Sequence, residues 1–581
     1  MAEALPNSFV FPEWAQELVD LYLSGTTCTF ILHGNVHDLL HCPTPQQPDQ
    51  FLTLTDFLAT QLFGGWDLVL GYDLARGLKP ITGGDQPRHR EMMNYLTGKM
   101  GPQINWPREP DKVLSVVDQL AERNLMDASV KQMCFVFPYA QFLMPSGDLN
   151  SLSGGRASRL VRLLGWAQNP YFKKINTAFF LIADSLPEIN DRLVQSPHVA
   201  TIDVPLPSAE SRRVFIRKSL GEQAESKLEG LDVEGLTQLS NGLNLVSLNV
   251  VLSGGGDDKL GPDRFGELKK TMIERQCRGL VTFVEPEHTL EMVVGHTAAK
   301  ARLRQDGKFI EQGRLDAAPM GYLLCGPVGT GKTFLAECFA GSIGIPCVVL
   351  KNFRSKYVGE TEGNLEHVLN VLRSLGPVVV IIDEADAALG DRQSGGDSGT
   401  SGRVFSMIAS QMGNTRYRGR IIWMLLTSRP DLLPIDLKRQ GRAEVHIPLF
   451  YPDEDDELAQ MFRVMARKNK VPLADDAIPA VSAKRELSGA DVESIMLAAR
   501  RSALTAGDAT VTREHLETAL ASFIPSAQGL EKTRQEICAV LECTDMSFLP
   551  PAWREEVQRE DGRTLLQREA QRIKRMLHAE E

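Results

Sequence analysis

Short runs of consecutive hydrophobic residues recur along this chain, and their arrangement is repeated. A run at 421–426, IIWMLL, is followed by a second run at 445–449, VHIPL. The runs TAFFLI at 177–182 and TIDVPL at 201–206 repeat this arrangement with a constant offset. Apolar runs of this length are typical of strands that are buried on both faces of a sheet. The repeat therefore predicts a duplicated α/β unit.

The residues that follow each pair of runs show helical periodicity. The stretch 209–277 is interpreted as helices separated by a loop at 253–256, SGGG. In the second half, Asp453 is the predicted N-cap of a helix whose apolar residues between 458 and 465 share one face. Further helices are predicted at 491–504 and 513–523.

The alternation of α/β and helical segments divides the chain into predicted regions. These are an α/β domain, a helical lid, a second α/β domain, a second lid and a charged helical tail, at 1–208, 209–280, 281–450, 451–526 and 527–581. The tail contains apolar residues at helical spacing, which are Leu565, Leu566, Ile573 and Met576. We expect them to face a partner or to pack against the chain itself.

Composition and charge narrow the function. The net charge of −11 argues against bulk electrostatic capture of nucleic acid or of an anionic membrane. The 9 cysteines are scattered without a CxxC pair, which indicates reduced thiols in the core. The first residues lack the features of a signal peptide, and no apolar run approaches the length of about 18 residues that a membrane helix needs. A cytoplasmic location is therefore expected.

One segment carries a complete phosphate-binding motif. Residues 326–333, GPVGTGKT, match the pattern GxxxxGK[ST] between an apolar run and a helix-like sequence, which is the context that such a loop requires. The glycines allow successive backbone N–H groups to turn towards a β-phosphate. In this interpretation Lys332 neutralises phosphate charge, and the Thr333 hydroxyl completes the coordination of Mg²⁺.

An acidic pair follows the next predicted strand. The run VVVII at 378–382 is succeeded by Asp383 and Glu384, which would lie at the mouth of an open parallel sheet. Asp383 is suited to hold the hydration shell of Mg²⁺, and Glu384 is suited to polarise an attacking water. Two carboxylates in this place often serve only as a helix cap, but the phosphate motif upstream favours the catalytic interpretation.

With these motifs together, residues 281–524 resemble an AAA ATPase of the group that includes katanin, spastin and the N-ethylmaleimide-sensitive fusion ATPase. The sequence SGAD at 488–491 resembles the group's lid motif beside the adenine. The resemblance implies a fold of two tandem P-loop NTPase-type, three-layer αβα units, each followed by a small all-α lid. It also implies that the nucleotide is contacted by Val294, Gly295, Pro327, Val328, Gly329, Thr330, Gly331, Lys332, Thr333, Phe334, Gly489 and Ala490.

The same resemblance implies a ring, expected to be a homohexamer. Lys356, Tyr357 and Val358 are similar to the group's first pore loop, which would grip a polypeptide in the central channel. Arg439 and Arg442 stand at the positions of arginine fingers, which complete the pocket of an adjacent subunit.

One position departs from the group's pattern. Ser428 stands where the group usually has asparagine, after the apolar run at 421–426. A serine hydroxyl still reaches a γ-phosphate or a water, but it is shorter and has one donor where an amide has two. Slow hydrolysis of ATP is therefore an open alternative.

The first half repeats the strands without the catalytic residues. No GxxxxGK[ST] pattern occurs before residue 280, and FPYA at 137–140 replaces the acidic pair. Ser196 and Val199 stand in place of the two arginines. We therefore predict a degenerate AAA-like domain that serves as a structural or substrate-docking layer.

Three histidines near the amino terminus, at positions 33, 37 and 41, have the spacing of metal ligands on a helix. Gly34 and Pro43 interrupt that helix, and no cluster of carboxylates or cysteines accompanies it. No metal site is predicted there.

The leading hypothesis is a ring-forming, Mg²⁺-dependent ATPase that remodels or unfolds a protein. ATP and Mg²⁺ are the expected cofactors, and further copies of the chain and an unknown protein are the expected partners. An ATP-gated scaffold with slow turnover is the alternative, and a nucleic-acid remodelling ATPase is disfavoured by the acidic balance. The absence of HExxH from these 581 residues argues against an attached zinc protease.

Overall fold

The computed structural model describes residues 11–127, 129–147, 154–221, 232–253, 261–277, 279–351, 358–389, 398–474, 476–525 and 529–579. The chain forms two compact units. The first comprises Met1–Arg278 and Arg354–Ser374, and the second comprises Gly279–Phe353 and Leu375–Glu581. The finer domain boundaries within these units stay predictions.

The first unit is built on a mostly parallel sheet. Its described strands are β1 (Thr29–Gly34), β2 (Leu39–His41), β3 (Phe51–Thr53), β4 (Leu68–Asp73), β5 (Gly77–Pro80), β6 (Met133–Phe137), β7 (Thr177–Ile182) and β8 (Val199–Val204). The main sheet has the order β5-β4-β6-β7-β1-β8, in which only β5 runs antiparallel to its neighbour. The strands β6 and β7 are buried at every position, as their apolar runs predicted.

Helices of the first unit precede, connect and follow these strands. They are α1 (Glu13–Leu23), α2 (Leu54–Phe57), α3 (Gln86–Met100), α4 (Pro110–Met126), α5 (Ala140–Leu143), α6 (Gly154–Gln168), α7 (Pro170–Lys174), α8 (Asp191–Val194), α9 (Ala209–Leu220), α10 (Val233–Leu239), α11 (Leu245–Ser253) and α12 (Pro262–Gln276). Stacked aromatic rings form part of the core. The ring of Phe179 lies 5.4 Å from that of Phe135 and 4.6 Å from that of Trp166, between centroids.

Asp38 fixes the start of helix α11. Its carboxylate accepts the backbone N–H groups of Leu245 and Val246 at 2.9 and 3.0 Å, and the side-chain amide of Asn35 donates to it at 3.0 Å. Only 3% of Asp38 is exposed, and burial raises the pKa of this carboxyl group. A carboxylate of the loop after β1 therefore caps the helical segment of the first unit.

The second unit contains the second sheet. Its strands are β9 (Val281–Val284), β10 (Gly321–Cys325), β11 (Cys347–Leu350), β12 (Val378–Ile382), β13 (Ile421–Thr427) and β14 (Val445–Pro448). The order is β14-β10-β13-β12-β11-β9, and only β9 is antiparallel to its neighbour. The register pairs Cys325 with Thr427 and Ile382 with Leu425. Three parallel strands thus end side by side.

The two sheets share one topology. Their parallel strands have the corresponding orders β4-β6-β7-β1-β8 and β11-β12-β13-β10-β14, in which the first strand along the chain lies between the fourth and the fifth. The antiparallel edge strands differ in origin, since β5 follows β4 in a hairpin whereas β9 precedes the parallel strands. The prediction of two αβα units with helical segments is confirmed.

Helices complete the chain from residue 297 onwards, and the one at Val358–Ser374 falls in the first compact unit. They are α13 (Thr297–Glu311), α14 (Lys332–Ile343), α15 (Val358–Ser374), α16 (Ala385–Leu389), α17 (Ser398–Met412), α18 (Ile435–Lys438), α19 (Asp455–Lys468), α20 (Gly489–Ala506), α21 (Arg513–Ser522), α22 (Gly529–Glu542), α23 (Pro551–Gln558) and α24 (Gly562–Ala579). The helices predicted at 491–504 and 513–523 are α20 and α21. The predicted cap at Asp453 is wrong, because α19 begins two residues later with Glu454 as its N-cap.

The carboxyl-terminal helices pack on the second unit itself. Leu566 and Ile573 of α24 are buried in one cluster with Ile537 and Val540 of α22. Strand β14 joins this segment, because the side chain of His446 contacts the Glu542 carbonyl oxygen at 2.8 Å. Two predicted members of the apolar face, Leu565 and Met576, are instead exposed. Only one face of helix α24 packs against the second unit, and Leu565 and Met576 do not belong to that face.

Candidate active site at the carboxyl ends of the second sheet

The candidate site begins where strand β10 ends, in the phosphate loop, residues 326–331. Gly326, Gly329 and Gly331 have φ angles of 144°, 84° and 84°, which residues with a side chain rarely adopt. A Cβ at Gly326 would lie 2.1 Å from the Leu449 carbonyl oxygen. The path of the loop therefore requires the glycines that the motif contains.

The ammonium group of Lys332, at the start of α14, is held by the phosphate loop itself. It donates to the carbonyl oxygens of Gly326 and Pro327 at 2.9 Å each and lies 3.2 Å from the Ser428 hydroxyl. Burial disfavours the charged amine and lowers the pKa of Lys332 to about 8. An anion that enters the loop would compete for this amine with neutral carbonyl groups.

Hard oxygen donors stand beside the amine. The Thr333 hydroxyl donates to one carboxylate oxygen of Asp383 at 2.9 Å, and the other oxygen accepts the backbone N–H of Glu384 at 2.8 Å. Hydroxyl and carboxylate oxygens are the ligands that Mg²⁺ prefers, so this donor set fits the ion. The sequence placed both residues in this role, and the structure brings them together.

Glu384 lies in a left-handed backbone conformation, with φ of 47°, which is uncommon for a residue with a side chain and recurs at functional sites. It lines a cavity of about 690 Å³ together with Lys332, Thr333, Asp383 and Ser428. The predicted residues of phosphate chemistry thus surround one space.

A second cavity of about 500 Å³ adjoins the first, because Gly331, Phe334 and Gly489 line both. Its walls include Val294 and Gly295, which the sequence assigned to the base of a nucleotide. Both volumes lie within the range of about 300 to 1,000 Å³ that is usual for sites of small molecules. We name this second space the base cavity.

The second lid contacts the phosphate loop directly. The N–H of Gly489, the first residue of α20, donates to the Gly329 carbonyl oxygen at 3.1 Å. Ser488 caps this helix in a reciprocal pair with Asp491. Ala490, the next predicted contact, lines the larger cavity. Thr330 turns its hydroxyl to the Pro327 carbonyl oxygen at 2.9 Å and also lines the base cavity.

Sequence reasoning missed a contribution from the carboxyl-terminal segment. Phe548, Pro550 and Arg554 form part of the wall of the base cavity. The side-chain oxygen of Gln535 accepts the backbone N–H of Val328 at 3.3 Å. No motif marks these residues, and the apolar spacing of the tail indicated only that it packs somewhere.

The two arginines assigned as fingers line neither cavity. The side chain of Arg439 is 58% exposed and lies 3.7 Å from the Asp436 carboxylate. The side chain of Arg442 is 13% exposed and donates to the Asp436 carbonyl oxygen at 2.8 Å. Their action in an adjacent subunit stays a prediction.

The predicted pore loop is mostly outside the described residues. Lys356 and Tyr357 fall in that gap, and Val358 is described only as the first backbone position of α15. Its function stays a prediction.

The matching edge of the first sheet carries other side chains. Tyr139 follows β6 as Glu384 follows β12, and it keeps a left-handed backbone with φ of 58°. The ring of His37 stacks on that of Tyr139 with centroids 5.0 Å apart, and its Nε2 lies 2.6 Å from the Asp184 carboxylate. His37 thus contacts both Tyr139 and Asp184 at this edge.

His33 and His41, which share the four-residue spacing with His37, contact different groups. His33 lies 3.7 Å from the Asp203 carboxylate, and His41 lies 2.9 Å from the Pro48 carbonyl oxygen. Within the described part of the chain, no group of three or more histidine, cysteine or acidic side chains is placed to hold a metal ion.

Three stretches of the chain match known family models. Residues 322–451 match the ATPase family associated with various cellular activities (AAA). Residues 5–205 match the N-terminal Rossmann-like domain of AAA+ chaperones, and residues 210–278 match their second helical domain. The chain belongs to the AAA+ ATPase family. Its AAA match contains the loop, the acidic pair and Ser428.

Curated relatives of this AAA+ protein are similar over part of their length. The cell division cycle protein 48 homolog of Archaeoglobus fulgidus is 33% identical over 227 residues, which are 36% of this chain and 31% of the relative. The ATP-dependent zinc metalloprotease FtsH 3 of Sphaerobacter thermophilus is 34% identical over 279 residues, 45% and 56% of the two chains. FtsH of Hahella chejuensis is 32% identical over 225 residues, 36% of each. The chain therefore spans about a third to just over half of these relatives.

Two general properties follow from the described residues. No helix among them is both long and apolar enough to cross a membrane. All 9 cysteines of the AAA+ chain are free thiols, as their scattered spacing predicted.

The lowered pKa of Lys332 predicts a pH dependence of nucleotide binding. Below about pH 7 the free protein carries a charged amine, whereas above pH 8 the amine is mostly neutral and binding must take up a proton. We expect the affinity for ADP to fall about tenfold between about pH 7 and pH 9. Isothermal titration calorimetry in two buffers of different ionisation enthalpy measures both the affinity and the proton uptake.

Lys332→Arg is the control for this titration, because a guanidinium stays charged over the whole range. Its affinity at pH 7 need not equal that of the wild type, but it should change little with pH. An equal fall in Lys332→Arg would contradict the assignment.

Proposed function

We propose that the second unit of this AAA+ protein binds ATP with Mg²⁺ and hydrolyses it to ADP and phosphate. The observation that carries the proposal is the one cavity lined by Lys332, Thr333, Asp383, Glu384 and Ser428. An ammonium group, a hydroxyl and two carboxylates are the groups that phosphoryl transfer to water uses. The base cavity adjoins this space and has room for the nucleoside.

The side chains divide the chemistry among them. Lys332 exchanges its bonds to the loop carbonyls for bonds to phosphate oxygens and offsets their charge. Glu384 accepts a proton from the attacking water. Thr333 and Asp383 would hold Mg²⁺, which supplies positive charge to the phosphate oxygens when it is bound. Ser428 orients the Lys332 amine or the γ-phosphate.

The pocket is completed by a second copy of the chain. Arg439 is exposed and lines neither cavity of its own chain, which suits a residue that acts on a neighbour. An arginine supplied in this way raises the rate by about 10³ to 10⁵. Arg442 stands close by on the same segment. The resulting assembly is a closed ring, with six subunits as the family resemblance implies.

The ring acts on a protein. The support is that residues 5–205 and 210–278 match family models that describe domains of AAA+ chaperones. Lys356, Tyr357 and Val358 grip the polypeptide in the channel. The first unit supplies structure or a docking surface, because Tyr139 stands in the place of the catalytic carboxylate. Cytoplasmic action is part of the proposal and is supported by the free thiols.

An ATP-gated scaffold is the second candidate. Ser428 favours it, because its hydroxyl already contacts the Lys332 amine and offers one donor where asparagine offers two. Such a protein would bind ATP to control its assembly and would turn it over too slowly for mechanical work. The resemblance of residues 281–524 to katanin and spastin forms part of the first proposal, that of a ring that remodels a protein.

Replacing the base tests the hydrolysis. Glu384→Gln should keep the affinity for ADP within about threefold and lower the turnover number about 10²- to 10⁴-fold, because an amide cannot accept the proton. Phosphate release at saturating ATP and Mg²⁺ measures this, with the exposed residue Glu311 changed to Gln as the control. Full turnover by Glu384→Gln would refute the assignment. A wild-type rate as low as that of Glu384→Gln would favour the scaffold.

A mixing experiment tests the ring. Arg439→Ala should bind ADP normally but hydrolyse ATP at less than about 1% of the wild-type rate, because its neighbours' pockets lack a guanidinium. Mixed into wild-type protein, it should lower activity in each ring that contains it. Arg416→Ala, another exposed arginine of this unit, is the control. An activity that falls only in proportion to dilution would show that Arg439 has no effect on neighbours.

A further inference from the structure

The glycines of the phosphate loop give its backbone wide conformational freedom. We therefore expect contacts with residues outside the loop to fix its shape. Val328, a residue of this loop, forms hydrogen bonds with residues outside the loop through both its N–H and its carbonyl oxygen. Its N–H donates to the side-chain oxygen of Gln535 at 3.3 Å, and its carbonyl oxygen accepts the hydroxyl of Tyr451 at 2.8 Å. Only 7% of Gln535 is exposed, so this acceptor has a fixed position, whereas Val328 as a whole is 55% exposed.

These contacts differ from the other bonds that hold the loop. The amine of Lys332 binds the carbonyl oxygens of Gly326 and Pro327, and a phosphate would draw the amine away from them. The contacts of Gln535 and Tyr451 with Val328 do not involve the Lys332 amine, so movement of that amine to a phosphate does not itself break them. We therefore expect these two contacts to shape the occupied loop as well.

The helix that carries Gln535 also reaches the second lid. Lys532 lies one turn earlier on α22, on the same face. Its amine is 2.7 Å from the Glu486 carboxylate, which precedes the lid helix α20, and 4.7 Å from the ring centroid of Tyr451. One turn of α22 thus contacts three parts of the second unit. These are the phosphate loop, Tyr451 and the segment before the lid helix α20.

Helix α22 is itself firmly placed in the second unit. The buried guanidinium of Arg534 lies 3.0 Å from the Asp431 carboxylate. Glu531 lies 3.4 Å from Arg429, the residue after Ser428. These pairs join the helix to the segment that follows strand β13, so Gln535 is presented from a fixed support.

We propose that helix α22 is a working part of the nucleotide site, in which Gln535 is a positioning residue that keeps the phosphate loop open for an anion. The inference rests on the proposed function, since it concerns the same site. It adds that the affinity for nucleotide is set in part by a residue far from every motif. Through its contact with Glu486, Lys532 connects the helix that positions the loop to the segment before the lid helix.

Gln535→Met tests the proposal, because methionine is of similar length but is a weak acceptor. We expect the affinity for ADP, measured by calorimetry well below the unfolding temperature, to fall about three- to tenfold. Without nucleotide, amide hydrogen exchange in residues 326–331 should become faster. A purely structural role would lower the unfolding temperature and leave both quantities unchanged.

Three further variants sharpen the test. Thr533→Ala changes an exposed residue of the same helix and should alter neither the affinity nor the exchange. Gln535→Glu keeps an oxygen that accepts the Val328 N–H and should retain the slow exchange. Gln535→Ala removes the same acceptor and replaces Gln535→Met in both assays if the latter does not fold.

The outcomes separate this inference from the proposed function. Wild-type affinity or unchanged loop exchange in Gln535→Met would overturn the role of Gln535. Failure of the wild-type chain itself to bind ADP would instead contradict the proposed function.

Discussion

The chemistry of this AAA+ protein depends on the left-handed backbone at Gly326, Gly329 and Gly331 between a buried strand and a helix. This path places Lys332 at the start of α14, where its amine reaches the loop carbonyls. It also brings the Gly329 carbonyl oxygen to the first N–H of the lid helix. A side chain at these positions would be strained or would collide with a neighbour. One short turn thus sets the position of the amine and its contact with the lid.

The two sheets show that the fold and the chemistry are separate properties. Both place the first parallel strand between the fourth and the fifth, and in both the central strands are apolar and buried. The chemistry lies in the loops at the strand ends, which can change without disturbing the core. In the first sheet, Tyr139 keeps the backbone conformation of Glu384 but not its carboxylate. At that edge His37 pairs with Asp184.

Much of the second sheet and its site was predictable, because Lys332 and Thr333 are adjacent in the sequence and Asp383 directly follows its strand. The contact between Gln535 and Val328 was not predictable, since the two are 207 positions apart and Gln535 belongs to no motif. Periodicity indicated that the tail packs, but it could not name the surface that the tail covers. The N-cap at Glu454 was missed because Asp453 is the residue type that favours a cap, whereas Glu454 makes no side-chain cap hydrogen bond that a pattern could have indicated.

The central claim is that the second unit alone binds nucleotide, at the cavity that contains Lys332. Equilibrium binding of a labelled, non-hydrolysable ATP analogue in the presence of Mg²⁺ measures how many nucleotides each chain holds. The account predicts one per chain in the wild type and none in Lys332→Ala. Two nucleotides per chain, or one that persists in Lys332→Ala, would contradict it.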